Sequence, residues 1–135
     1  MQVVTICIKN QQNKLLIQKR SLLKGGKYGI TSGHTLDGEE AKQGAIREIK
    51  EEIGLNINIQ ELKLIYKTKI NKITYNLYYV QKEIDLSNLS LQKEEVEKVY
   101  WYTIEEINNL IQANEFYDKQ IEAFKIFERY IKEDF

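Results

Sequence analysis

Three glutamates in the middle of the chain, Glu48, Glu51 and Glu52, have a spacing that places their carboxylates on one side of a helix. At about 100° per residue they fall within an arc of roughly 100°. Glu52 follows Glu48 by four residues, and a like-charge pair at this spacing costs an isolated helix a few tenths of a kcal/mol. The pattern therefore predicts a bound cation. Oxygen ligands without cysteine or histidine clusters favour Mg²⁺, or Mn²⁺, over zinc.

The residues between and before these acids predict a helix that is buried on its other side. Ile46, Ile49 and Ile53 form an apolar stripe centred roughly 140° from the acids, so the stripe can pack on a core. Arg47 can reach Glu51 one turn away. An ordinary solvated acidic face is the alternative, but it leaves the repulsion between the carboxylates uncompensated. Three small residues are expected to leave room for a ligand beside the acids: Ala41, Gly44 and Ala45.

The elements around the acidic helix predict a layered domain. In chain order they are strands over 2–9, 13–19 and near 28–32, a helix over 39–53, strands over 57–70, 72–84 and 96–102, a helix to about 111 and a terminal helix from about 117. Gly54 is a natural residue just after a helix, and Thr103 with Glu106 forms a capping box. Helices that alternate with strands in this way predict a mixed sheet between helices, an α/β sandwich.

Length and composition exclude several classes of protein. The chain has 135 residues, which predicts a single domain over residues 1–135. Its 20 basic residues balance its 20 acidic residues, so no global field attracts duplex nucleic acid. No apolar run approaches the roughly 18 residues of a membrane helix. One cysteine, Cys7, in a buried-strand pattern and a start without signal-peptide features predict a cytoplasmic protein whose thiol is part of the core.

The segment from Gly33 to Leu55 resembles the signature of the Nudix hydrolase family. The flanks agree, because 15–21 resembles the second strand of that family and 100–107 resembles its last strand and the helix after it. The resemblance spans most of residues 2–111. Nine defining positions match, namely Gly33, Glu39, Arg47, Glu48, Ile49, Glu51, Glu52, Gly54 and Leu55.

This resemblance implies a Nudix-like α/β/α sandwich with a loop-helix-loop motif, and Mg²⁺-dependent cleavage of a diphosphate bond by water attack at phosphorus. Glu48, Glu51 and Glu52 match the glutamates of the family that bind metal and serve catalysis, and Gly33 is placed at the same metal site. Arg47 and Glu39 match positions that brace the loop and the helix by pairing, so the catalytic role of Arg47 is one of support.

The group that takes the proton from water is left open among four acids: Glu51, Glu52, and the pair Glu94 and Glu95 that stands just before Val96. Alternatively, Glu94 and Glu95 are simply the acids of a solvated loop.

Cations for the phosphates are expected at the end of the second strand. The Lys19 ammonium can reach phosphate oxygens as a point charge, and the planar Arg20 guanidinium can donate two hydrogen bonds to them. A surface salt bridge is the alternative for Arg20. The expected substrate is a small-molecule diphosphate, a nucleotide, and not a membrane. Homodimers are common among such small enzymes. Tyrosines on the later strands can stack on a base or simply pack in the sheet: Tyr66, Tyr75, Tyr78 and Tyr79.

The start of the motif departs from the usual Pro-Gly-Gly, because this chain has Ser32, Gly33 and His34 there. This variant resembles the branch of the family near isopentenyl-diphosphate isomerase. The isomerase uses a cysteine where Ser32 stands and several histidines, whereas His34 is the single histidine of this chain. His34 can contact the metal or the phosphates, or bond to the backbone. Isomerase activity and a nucleotide-sensing module without cleavage are the two alternatives to a hydrolase, and the intact acids argue against the second.

Overall fold

The computed structural model describes residues 1–133, and a seven-stranded mixed sheet runs through the fold. Its main strand order is β3-β2-β1-β6-β5, with β4 paired to β1 and β7 paired to β2. Among the described strands, β1 and β6 pair in parallel and the other pairs are antiparallel. The strands are β1 (Gln2–Lys9), β2 (Lys14–Arg20), β3 (Tyr28–Gly29), β4 (Thr31–His34), β5 (Lys63–Ile70), β6 (Ile73–Gln81) and β7 (Val96–Thr103).

Helices cover both faces of this sheet. Helix α1 (Ala41–Ile53) packs on one face, and α2 (Ile104–Gln112) and α3 (Ile121–Glu133) pack on the other. Val4 of β1 joins the core on the α1 side, whereas Cys7 is fully buried on the opposite side. A strand that is buried on both faces is apolar almost throughout, as β1 is. The predicted α/β/α sandwich is confirmed, and the Cys7 thiol is part of the core.

Helix α1 is two residues shorter at its start than predicted. Glu39 lies outside the helix because its carboxylate turns back and accepts a hydrogen bond from the Leu36 N–H at 3.0 Å. The helix ends at Ile53, and Gly54 follows with a φ of 72°, a left-handed conformation that glycine adopts without strain.

The small residues of α1 allow close packing and do not make room for a ligand, so that expectation was wrong. Ala45 is fully buried in the core beneath the helix. A Cβ added at Gly44 would stand 2.9 Å from Cγ2 of Thr35 and 3.0 Å from Oε1 of Glu39. Ala41 also packs against the core. These residues bring α1 close to the sheet and to the loop before it.

The strand predicted over 57–70 begins only at Lys63. Ile57 and Leu62 are buried, but they lie in a loop that covers the core next to α1. The Asn58 N–H donates to the Glu61 carboxylate at 3.0 Å within that loop, which stabilises a short turn instead of an extended strand.

The tyrosines of β6 divide between the faces as alternation requires. Tyr78 is buried on the α1 side, and Tyr79 lies on the α3 side with its ring centroid 5.4 Å from that of Phe127. Tyr75 and Tyr66 of the β5–β6 hairpin are exposed. Within residues 1–133, no helix is long and apolar enough to cross a membrane.

Candidate active site

Two of the three glutamates predicted as ligands meet in an open cavity of about 390 Å³. Glu48 and Glu52 line it from α1, and Gly33 lines it from β4. Glu52 is only 5% exposed, and its Oε2 atom is buried without a hydrogen-bond partner among the described residues. Glu51 differs, because its side chain is 54% exposed and is paired with Arg47.

The electrostatics of the pair follow from this geometry. Burial, and then the charge of neighbouring Glu48, raise the pKa of Glu52 to about 9, with a further contribution from the charge of Glu95. Within residues 1–133, no cationic side chain forms an ion pair with this buried carboxyl, whose neighbours are acidic. This is the strongest perturbation among the carboxylates of the site, and perturbed groups of this kind cluster at functional sites.

Gly33 makes room for the Glu48 carboxylate. A Cβ added at Gly33 would stand 2.5 Å from Oε2 of Glu48, a separation that side chains do not adopt. The backbone of Gly33 is held in place by pairing with Val4 of β1. The motif therefore requires glycine at this position so that an acid on α1 can lie against strand β4.

Arg47 braces the loop and the helix through three carboxylates. Its guanidinium donates to both oxygens of Glu39, at 2.9 and 3.0 Å, and to Glu48 at 3.1 Å. It also donates to Glu51 at 3.2 Å and to the His34 carbonyl at 3.0 Å. The Arg47 guanidinium holds the pKa of Glu39 below its usual value, and Glu39 in turn raises the pKa of Arg47. Arg47 makes both of the pairs predicted from the sequence.

The donor set fits a divalent cation in part. Glu48 and the unpartnered Glu52 oxygen are hard oxygen donors of the kind that Mg²⁺ accepts together with water and phosphate oxygens. In the described part of the chain, however, no three acidic, histidine or cysteine side chains are grouped closely enough to hold a metal. Glu51 stands apart from the pair, because its side chain is 54% exposed and does not line the cavity.

Arg20 and Lys24 supply positive charge to the cavity. The Arg20 guanidinium carbon lies 3.7 Å from the ring centre of Tyr117, so the guanidinium is stacked on that ring, and it forms no salt bridge with another residue of 1–133. Lys24 lies 3.9 Å from the Glu95 carboxylate. Lys19 does not line the cavity. Its ammonium bonds the Gly26 carbonyl and lies over the Tyr28 ring, because alternation turns it to the opposite face of β2.

The two acids before β7 are placed differently. Glu95 lines the cavity together with Glu52, whereas Glu94 is exposed and does not line it. His34 also lines the cavity, although its side chain is exposed. The Ser32 hydroxyl lies 3.2 Å from the Thr5 hydroxyl, so the two share a hydrogen bond within the sheet.

Several residues of the cavity were missed in the sequence. Gln18 shares the cavity face of β2 with Arg20, and strand alternation was the signal that could have identified it. Lys24 and Gln120 each end a single 3₁₀ turn and Tyr117 precedes the second of these turns, and segments this short show no periodicity. The buried Gln120 amide accepts from the Ile30 N–H at 2.7 Å and donates to the Ile30 carbonyl at 2.9 Å, which fixes the Tyr117 segment beside β4.

Solved structures share this architecture. A Deinococcus radiodurans protein superposes with a TM-score of 0.76 at 17% identity, over 92% of this chain and 79% of that one. The NUDIX domain of Shewanella oneidensis NrtR, crystallised with ADP ribose, superposes with a TM-score of 0.75 at 13% identity, over 97% of this chain and 88% of that one. At such identities the likeness shows the fold alone.

Sequence comparison identifies the family. Residues 1–124 match the model of the NUDIX domain. Two uncharacterized Nudix hydrolases, from Listeria innocua and Listeria monocytogenes, are each 36% identical over 118 residues, which is 84% of this chain and 70% of each relative. The chain therefore belongs to the Nudix hydrolases, enzymes that cleave pyrophosphate bonds in nucleoside diphosphate derivatives.

Proposed function

We propose that this enzyme hydrolyses, with Mg²⁺, the phosphoanhydride bond of a nucleoside diphosphate linked to another group. The observation that carries the proposal is the Glu48–Glu52 pair: one Glu52 oxygen is buried without a partner among the described residues, and both glutamates line a cavity that two cationic side chains also line. An arrangement of acids alone would repel a diphosphate. A divalent cation held by the pair would offset this repulsion.

Glu48 and Glu52 would hold the cation, and Glu51 would join them if its carboxylate left Arg47. When bound, Mg²⁺, or Mn²⁺ in its place, would neutralise phosphate oxygens and lower the pKa of an attacking water. Gly33 contributes by admitting the Glu48 carboxylate beside β4, and its backbone belongs to the same site. Through its ion pair with Glu39, Arg47 holds the helix that carries the acids against the preceding loop.

The chemistry is a displacement at phosphorus. A water oxygen forms a bond to phosphorus, the bond from phosphorus to the bridging oxygen breaks, and the bridging oxygen leaves with the electron pair. Of the four candidate acids, Glu51 and Glu94 do not line the cavity and Glu52 would hold the cation, so Glu95 takes the proton of the water. Arg20 binds the phosphates with a guanidinium that Tyr117 already orients, and Lys24 adds a second positive charge. His34 contacts the substrate at the rim.

Nucleotides are the substrate class to test first. A Caenorhabditis elegans Ap4A hydrolase and the NrtR domain with ADP ribose share this fold, at 18% and 13% identity. Dinucleoside polyphosphates and nucleotide sugars therefore join nucleoside triphosphates and isoprenoid diphosphates in the assay panel. We expect Mg²⁺-dependent turnover of at least one nucleotide, with oxygen from ¹⁸O-labelled water in one phosphate product.

Glu48→Gln and Glu105→Gln form a matched pair for this test. Glu48 lies in the cavity, and Glu105 is exposed on α2, on the other side of the sheet. The first change should lower turnover at least 100-fold and the second should leave it unchanged. Turnover that survives both a chelator and Glu48→Gln contradicts the proposal. Tight binding of nucleotides without any turnover would instead support a sensing module.

No observation favours the isomerase alternative. An isomerase must move protons at carbon with an acid and a base placed on either side of the substrate. The Ser32 hydroxyl is engaged by Thr5, and a serine hydroxyl is far less acidic than a thiol.

A further inference from the structure

Ser21 joins the end of β2 to a loop more than seventy residues further along the chain. Its hydroxyl donates to the Glu94 carbonyl at 2.6 Å, and its N–H donates to the Glu95 carbonyl at 2.9 Å. Ser21 is buried, and its hydroxyl bond is partly shielded from water. The two consecutive carbonyls before β7 are therefore held by one residue.

The other end of the same loop is fixed to α1. The Ser90 N–H donates to the Ile53 carbonyl at 3.0 Å, and the Gln92 N–H donates to the Glu52 carbonyl at 2.9 Å. Carbonyls in the last turn of a helix have no partner within the helix, so these bonds satisfy them. The loop that carries Glu95 is thus attached to the residue that supplies the buried acid of the cavity.

A β-bulge lies next to the Ser21 contact. Lys19 is opposite Lys98 and Arg20 is opposite Val96, so Glu97 is an extra residue without a partner on β2. Bulges of this kind bend a strand and redirect side chains, and they are frequent beside active sites. The turn that starts at Ser21 also brings Lys24 to 3.9 Å from the Glu95 carboxylate, since the Lys24 N–H donates to the Ser21 carbonyl at 2.9 Å.

We propose that Ser21 is a positioning residue, whose two hydrogen bonds hold the Glu94–Glu95 backbone so that the Glu95 carboxylate stays in the cavity with Glu52. The inference rests on the proposed function, because Glu95 is the proton acceptor there. The Ser21 hydroxyl itself donates to a backbone carbonyl and takes no part in the chemistry. If this loop served only to connect β6 with β7, the residue at its fixed end would not need to be an acid that lines the cavity.

A double-mutant cycle with Glu95 tests this role on the full-length enzyme with Mg²⁺ and its best nucleotide substrate. Ser21→Ala should lower kcat about 10-fold and change KM less than twofold, because it disturbs the acid and not the phosphate contacts. Glu95→Gln should lower kcat about 100-fold. The double variant should match Glu95→Gln within twofold, because the hydroxyl has no further effect once the carboxylate is gone.

Two further variants separate positioning from simple stabilisation. Ser21→Thr keeps a hydroxyl and should retain kcat within about threefold of the parent. Ser87→Ala is the control: the Ser87 hydroxyl donates to the Asp85 carboxylate at 2.6 Å, and neither residue lines the cavity. Its removal should leave kcat unchanged. Thermal midpoints of all variants are measured alongside, so that a loss of folded protein is corrected before kcat is compared.

The outcomes distinguish the inference from the function on which it rests. If Ser21→Ala lowers kcat by the same factor with and without Glu95, or does not lower it at all, Ser21 has no positioning role although the hydrolase assignment stands. If Glu95→Gln is fully active, the inference fails in the same way. If the parent enzyme cleaves no diphosphate with Mg²⁺, the proposed function fails and the positioning role fails with it.

Discussion

Glutamine at position 52 should inactivate the enzyme and yet make the metal-free protein more stable. Glu52→Gln keeps the shape of a side chain that is 5% exposed, but it removes a charge from a carboxyl that has one unpartnered buried oxygen. The amide can donate to the Glu48 carboxylate, which the parent side chain can do only when it is protonated. Catalysis and stability should therefore move in opposite directions.

The size of the stability change follows from the pKa of Glu52. Burial and the charge of Glu48 raise it from 4.5 to about 9 in the folded state. A raised carboxyl pKa means that folding stability is fully present below pH 4.5 and is lost as the pH rises towards 9. At about 1.36 kcal/mol per pH unit, the loss between pH 4.5 and pH 7 is about 3 kcal/mol. Glutamine does not titrate, so the variant should melt roughly 10 °C higher at pH 7.

Thermal unfolding with a chelator, followed by circular dichroism at several pH values from 4.5 to 9, measures this difference. The gain should be near zero at pH 4.5 and should grow with pH, and added Mg²⁺ should stabilise the parent more than the variant. Glu51→Gln is the matched control, because the exposed Glu51 carboxylate is paired with Arg47 and its removal should bring no gain. If Glu52→Gln melts at or below the parent midpoint across this range, the description of Glu52 as an uncompensated buried acid is wrong.

Three further predictions concern the same cavity. Arg47→Ala should lower the free energy of unfolding by about 2 kcal/mol, and the thermal midpoint with it, and should lower turnover at least 10-fold, since it leaves several carboxylates uncompensated; calorimetry with parallel kinetics checks this, and an unchanged midpoint would contradict it. Gly33→Ala should displace the Glu48 carboxylate and weaken Mg²⁺ affinity at least 10-fold by calorimetric titration, whereas parent-like affinity would refute the role of Gly33 in making room for that carboxylate. Ser32→Ala should be nearly silent and His34→Ala should cost only a few-fold in turnover; deuterium uptake from solvent into isopentenyl diphosphate that vanished in Ser32→Ala would overturn the hydrolase assignment.

Local periodicity was sufficient to predict the helix that carries the acids and its two faces. In any α-helix, the stripe that contains Ile49 and Ile53 lies on a different face from the three glutamates. In the structure, both isoleucines are buried in the core. Arg47 and Glu51 were predictable partners for the same reason, since residues four apart are neighbours on a helix. Helix spacing alone did not show that Glu51 would lie outside the cavity that Glu48 and Glu52 line.

Packing decided the points at which the predictions were wrong. Ala45 and Gly44 are small, but small residues serve close packing as readily as they serve a ligand, and only their surroundings distinguish the two uses. Lys19 and Arg20 are adjacent in sequence and equally basic. Because side chains alternate along β2, these two lie on opposite faces of the sheet, and the face that holds the cavity depends on where α1 packs.

The wall of the cavity opposite the acids depends entirely on distant contacts. Nothing in the local sequence separates Glu94 from Glu95, or connects Arg20 with Tyr117. These choices follow from the register of β2 on β7, with its bulge at Glu97, and from hydrogen bonds between residues more than seventy positions apart. Periodicity specifies which residues of one element share a face. The face on which two distant elements meet is selected by burial of the whole core, and this exists only in the folded chain.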